Sequence, residues 1–193
     1  MSVMTARRTT WPDDRPLTVE DLDLLPDDGN RYELDDGVLV MSPAPANIHQ
    51  LVVTRLVAML TAQALTGFEV IAGPGVEMSK VQYRIPDLIV VREADFDLAA
   101  KSVTRPPEIA IEVASPSTSL YDRNRKKTVY AEFTIPSYWI VTPSTDKPSL
   151  TAFGLRVGAY EELTHVVGND TYRTDSPFPI EIVPASLVAR HRA

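Results

Sequence analysis

The chain has no cysteine, which excludes a disulfide framework, a thiolate zinc site and a cysteine nucleophile. Histidine is nearly as scarce: His49, His165 and His191 are the only three, too scattered to read as a metal cluster. No stretch approaches the roughly 18 apolar residues that a membrane span needs. The N-terminus carries Arg7 and Arg8 with no apolar run behind them, which argues against a secretory signal. A soluble, cytoplasmic protein without membrane contact is the expectation. Positive charge is also in deficit, with 19 Lys and Arg against 26 Asp and Glu and a net charge of −7. Proteins that coat nucleic acid rely on Lys and Arg to neutralise phosphates, so any nucleic-acid contact here must be local.

What is present is ample apolar material, 44% of 193 residues, enough for one domain with a good core. Residues 1–16 are polar and proline-interrupted and are expected to form a flexible N-terminal segment ahead of a single domain over 17–193. Thr18 is a candidate cap for a short helix that Pro26 ends. Asp35-Asp36-Gly37 separates Arg31-Tyr32-Glu33-Leu34 from Val38-Leu39-Val40-Met41, a strong hairpin signal. From about Ala46 to Thr66, Ile48, Val52, Leu56, Met59 and Leu60 form a helical stripe, with Gly67 as a stop.

Three strand-like runs follow: Phe68 to Ala72 continuing past Gly73-Pro74-Gly75 to Met78, then Pro86 to Val91, then Glu108 to Ala114. Ser117, Thr118 and Ser119 offer caps for a helix through Tyr130 to Phe133, and Tyr138-Trp139-Ile140-Val141 reads as a buried strand. Beyond 148 the pattern predicts more strands, with turns at Gly154, Gly158 and Gly168-Asn169, and a tail helix from Ala185. The expected core order is helix, three strands, helix, strand, flanked by an N-terminal hairpin and C-terminal strands. That order suits an α/β (α+β) mixed sheet with helices on its faces.

Two of the apolar runs each carry one carboxylate, Asp87 in Pro86-Asp87-Leu88-Ile89-Val90-Val91 and Glu112 in Ile109-Ala110-Ile111-Glu112-Val113. An ionised carboxylate among buried strands is costly unless a cation, a proton or donors compensate it. On neighbouring strands the two would make a hard, oxygen-lined site for Mg2+ or Mn2+; the structural alternative is a strand-end cap and an ion pair with a lysine. In the next helix, Asp122, Lys126 and Tyr130 share one face, so Lys126 can reach the acids, or instead pair with Asp122 on a solvated surface. Arg123, Arg125 and Lys127 surround Lys126 as a basic cluster able to hold a nucleic-acid backbone. Glu33 and His49 are candidates to line the same cleft, Glu33 as an extra acid or ligand, His49 to bond a phosphate or position Glu33. Tyr130, Tyr138 and Trp139 read as core residues.

Together these segments, with His49-Gln50, Pro107 and Ser115-Pro116-Ser117-Thr118, resemble the Uma-type family of restriction endonucleases, within the PD-(D/E)XK nuclease superfamily. The resemblance covers roughly residues 17 to 143. It implies a restriction-endonuclease-like fold and Mg2+-dependent cleavage of DNA. Asp87 would be the strand-end aspartate and Glu112 the second acidic ligand. The superfamily lysine two residues after that acid falls at Ala114, and the resemblance implies that Lys126 replaces it from the following helix. Glu33 and His49 match further family positions, Glu33 as an expected catalytic assistant and His49 as an expected substrate contact; Arg123 and Lys127 are expected substrate contacts from the basic cluster itself. Two rival classes stay open: a noncatalytic module of nuclease fold for protein assembly or weak nucleic-acid binding, and an enzyme acting on RNA or a nucleotide. A homodimer is expected, with the C-terminal strands covering or pairing a sheet edge.

Overall fold

The computed structural model describes residues 15–42, 45–114 and 120–189, with the side chains of Ser42 and of residues 120–123 outside that description. The loose segment expected before residue 17 and the caps Ser117, Thr118 and Ser119 lie largely or wholly outside the described residues. Arg15, which is described, pairs with Asp21 at 2.8 Å.

A four-residue helix α1 (Val19–Leu22) leads into the hairpin β1 (Arg31–Asp35) and β2 (Val38–Ser42). Asp35 pairs with Val38, so the loop is Asp36-Gly37 alone, and both residues have positive φ, 50° and 77°. Those angles are what a two-residue turn needs to match the twist of its strands. The first long helix is α2 (Asn47–Gln63), whose buried residues His49, Val52, Leu56 and Leu60 recur at helical spacing. His49 therefore sits on the core-facing stripe, one turn above Val52.

After β3 (Phe68–Ala72) come β4 (Val76–Ser79), β5 (Gln82–Arg84), β6 (Leu88–Arg92), β7 (Ile109–Val113), α3 (Leu120–Glu132) and β8 (Ser137–Thr142). The chain ends in β9 (Ser149–Arg156), β10 (Ala159–Val167), β11 (Tyr172–Thr174), β12 (Ile180–Ile182) and α4 (Pro184–Val188). The main sheet has six strands in the order β10-β9-β8-β7-β6-β3. Among its described strand pairs β7 and β8 run parallel and the others antiparallel; the parallel pair requires a crossover, and α3 supplies it. A second sheet, β2-β1-β5-β4, joins the N-terminal hairpin to a later one. The core order helix, three strands, helix, strand is thus present as α2, β3, β6, β7, α3, β8, with the β4–β5 hairpin interposed.

Two expectations are corrected. The run from Phe68 to Met78 is not one strand: the chain bends at Gly73-Pro74-Gly75, where proline lacks an N–H for a ladder, and β4 leaves for the second sheet. Gly154 makes no turn. It lies inside β9, where an added Cβ would stand 2.8 Å from Leu163 Cδ1.

Strand alternation sorts the core. Ile109, Ile111, Val113, Leu88, Val90, Trp139 and Val141 face α2 and the C-terminal elements in the largest apolar cluster. Ala110 and Tyr138 face the other way, onto Tyr130 and Ile135. On that same side Ile89 and Val91 pack with Val76 and Val103 of the smaller sheet's neighbourhood. Each wholly buried aliphatic side chain contributes about 1.5–3 kcal/mol.

Candidate active site

Residues of β7 alternate between the two faces, so Glu112 projects with Ala110 toward α3 while its neighbours Ile111 and Val113 enter the apolar cluster. In the antiparallel pairing of β6 with β7, Leu88 meets Ile111 and Ile89 meets Ala110. Asp87 and Glu112 come next beyond the last of these pairs, and the Val113 N–H donates to Asp87.

Asp87 is buried and held on both oxygens. Arg31 Nη1 donates to Oδ1 at 3.0 Å. Oδ2 accepts the Val113 N–H at 2.9 Å and meets His49 Nε2 at 3.0 Å; a carboxylate only accepts, so Nε2 carries the proton. Burial pushes the Asp87 carboxyl up, but the hydrogen bond and charge of His49, the Val113 N–H and the Arg31 charge outweigh it and hold it below its ordinary value. Asp87 is therefore an anion at neutral pH.

Glu112 is in the opposite condition. Lys126 Nζ lies 3.0 Å from both of its oxygens, and the Tyr130 hydroxyl donates to Oε1 at 2.6 Å. Lys126 and Tyr130, four residues apart on α3, reach the same carboxylate because they share one helix face. Burial raises the Glu112 carboxyl, Lys126 pulls it down, the charges of Asp87 and Glu33 raise it again and the Tyr130 hydrogen bond lowers it, leaving it pushed up to about 7. Burial, then the charge of Glu112, pushes the Tyr130 hydroxyl well above its ordinary range, so it stays a donor.

Glu33 enters the same group from β1. Its Oε1 accepts the Ile85 N–H at 2.8 Å and lies 4.0 Å from Lys126 Nζ. Arg84 is 1% exposed and stands between Glu33, at 3.5 Å, and Asp35, at 2.7 Å. The Asp35 contact is close in distance without hydrogen-bond alignment, and Arg84 Nε has no partner among the described residues. Arg125 then ties Asp35 and Asp36 to α3.

The structure thus brings together Asp87, Glu112, Lys126, Glu33 and His49. His49 holds Asp87, not Glu33. The basic cluster around Lys126 is dispersed: Arg125 is spent on the hairpin acids, and Lys127, about 100° further round the helix, places Nζ 3.7 Å over the Phe153 ring centre, away from the carboxylates. The Arg123 side chain lies outside the described residues. Tyr138 and Trp139 are buried core residues as expected, whereas the Tyr130 ring is in the core with its hydroxyl at the site.

Three contributors had no role at the site assigned from the sequence: Arg31, Arg84 and Tyr130, the last read as core. A signal for the first existed, since Arg31, Glu33 and Asp35 alternate on β1 and must share a face. The Lys126–Tyr130 spacing carried the third.

The donors suit a hard divalent ion. A carboxylate has about four lone-pair sites. Among the described residues, Asp87 Oδ1 and Glu112 Oε2 each carry one hydrogen-bond donor, so each acid keeps one oxygen with spare capacity. Among the same residues no group of three or more His, Cys, Asp or Glu side chains is arranged to hold a metal, so any ion there would draw on those two acids with further oxygens from water or substrate.

A family model described as "Putative restriction endonuclease" matches residues 19–187. Among solved structures, one described as a "putative nuclease belonging to DUF820" from Anabaena variabilis aligns over 90% of this chain and 98% of its own, with a TM-score of 0.72 and 14% identity. That likeness establishes the shared fold. A search of curated proteins finds no match. No helix among the described residues is long and apolar enough to cross a membrane. With the family match spanning nearly the whole described fold, the chain belongs to the Uma2 family, the family of that restriction-endonuclease description.

Proposed function

We propose that this chain is a divalent-metal-dependent endonuclease that hydrolyses DNA phosphodiester bonds at the Asp87–Glu112 pair. The observation that carries the reading is Lys126. Its ammonium sits 3.0 Å from Glu112 although it comes from α3, filling the role that Ala114, two residues after the acid, cannot. Asp87 and Glu112 would hold Mg2+ or Mn2+, whose chemistry when bound is to polarise the phosphate and lower the pKa of an attacking water. Asp87 serves as the permanent anion, fixed by His49, Arg31 and the Val113 N–H. Lys126 orients the water and offsets charge that develops on the phosphate. Glu33 anchors the smaller sheet beside the acids and adds to the negative field that favours a cation.

Plasmid incubated with the pure protein and Mg2+ or Mn2+ should be cut, with EDTA stopping the reaction. Cleavage at the wild-type rate by Glu112→Ala and Lys126→Ala would remove the proposal. One observation favours a second reading, a noncatalytic binding module: Asp87, Glu33 and Glu112 already have cationic neighbours in Arg31, Arg84 and Lys126. Salt-sensitive DNA binding without cleavage would select it. A cytoplasmic setting is part of the proposal, which fractionation would test. A homodimer is proposed through β10, an edge strand with Leu163 and Val167 exposed; a monomer mass by light scattering would exclude it.

A further inference from the structure

The two groups that α3 sends to Glu112 do different jobs. Lys126 spans both carboxylate oxygens at 3.0 Å, the position of a cation on a carboxylate. Tyr130 touches Oε1 alone, and its ring is locked in the core, edge-on to Tyr138 with centroids 5.3 Å apart. A flexible four-carbon stem carries the ammonium; a rigid buried ring carries the hydroxyl.

We propose that Lys126 is a displaceable resident cation on Glu112 and Tyr130 a permanent positioning residue. On loading with a divalent ion, Lys126 withdraws from Glu112 and its ammonium becomes available to a substrate phosphate, while Tyr130 keeps Oε1 and so presents Oε2. Glu33, 4.0 Å from the same ammonium, gives the displaced lysine a nearby anion. This inference rests on the metal-site reading above and deepens it: the unloaded site is quenched by its own lysine, and loading and arming become one event.

Three measurements on the full chain test it, with Mn2+ alone as probe at pH 8 so that protons compete little for Glu112. Acylation of lysines by an amine-reactive ester, read by mass spectrometry, should rise severalfold at Lys126 when Mn2+ is added, with Lys80, Lys101 and Lys147 unchanged as internal controls. Lys126→Met should bind Mn2+ about tenfold more tightly in calorimetry, the low end of what one charged neighbour does to an ionic site. Tyr130→Phe keeps the ring and should weaken Mn2+ binding by about 10- to 100-fold with its melting temperature little changed, a response that a purely structural tyrosine would not give. Mn2+ binding with Lys126 equally or less reactive, or Lys126→Met binding no more tightly, overturns the exchange and leaves the nuclease reading intact. No Mn2+ binding by either wild type or Lys126→Met overturns both.

Discussion

The two faces of the main sheet are built from the same strands and have opposite characters. Toward α2, the strands β6, β7 and β8 present a largely apolar face, with Leu88, Val90, Ile109, Ile111, Val113, Trp139 and Val141 in one cluster. Toward α3, β7 presents Glu112, met by Lys126 and Tyr130, and just ahead of β6 stands Asp87, held by Arg31 of β1, His49 of α2 and the Val113 N–H. A face that excludes water with hydrocarbon contributes stability; a face that excludes water around charge contributes reactivity, because weakly screened charges there shift one another's protonation. One strand thus supports both roles through its period of two, and a one-residue slip of β7 would exchange them.

The largest effect expected is on the apolar face. Trp139→Ala should lower stability by about 3–5 kcal/mol in urea denaturation, and any cleavage activity should vanish only in step with unfolding. On the charged face, Asp87→Asn should reduce cleavage by about 100-fold or more. It should cost only about 1–3 kcal/mol of stability, because His49, Arg31 and the Val113 N–H lose an ionic acceptor. If Asp87→Asn proved as destabilising as Trp139→Ala, the division of labour between the faces would fail.

The pH dependence sharpens the contrast within the charged face. Glu112 has a folded pKa of about 7 against an ordinary 4.5, so the fold favours its protonated form. That contribution is complete below pH 4.5 and is lost as pH rises through 7, roughly 3 kcal/mol at most. Asp87 has the opposite sign: its lowered pKa stabilises the fold above the ordinary 3.8, and that contribution fades as pH falls below it. Urea midpoints measured from pH 5 to 8 should decline for the wild type and decline less for Glu112→Gln; equal slopes would count against the raised acid. The smallest effect belongs to exposed pairs outside both faces. Lys101→Ala and Arg173→Ala, which break pairs with Asp23 and Glu181, should each change stability by less than about 1 kcal/mol.

Much of this architecture was legible because it is periodic. The α2 stripe, the Asp36-Gly37 turn and the alternation around Glu112 are local patterns that one period or one turn type explains. The acids declared themselves by being charged inside apolar runs. Lys126 was legible from its helix face, but the arginines were not, because ionic partners are chosen in space: Arg31 reaches Asp87 across 56 positions, and Arg84 is a lone arginine in a three-residue strand until β5 is seen beside β1. The switch of sheets after Gly73 was hidden for a related reason, since β4 keeps a strand pattern while changing the sheet it serves. Arg125 and Lys127 looked like substrate-binding charge because a run of basic residues on a helix does not disclose which of them are already committed to Asp35 or to Phe153.

The central claim is that Asp87, Glu112 and Lys126 act as one hydrolytic unit, and plasmid cleavage in Mg2+ by the wild type beside folded Glu112→Gln tests it most directly. The account predicts cutting by the wild type, abolished by EDTA, and at least about 100-fold slower cutting by the variant; cutting by Glu112→Gln at the wild-type rate would contradict it.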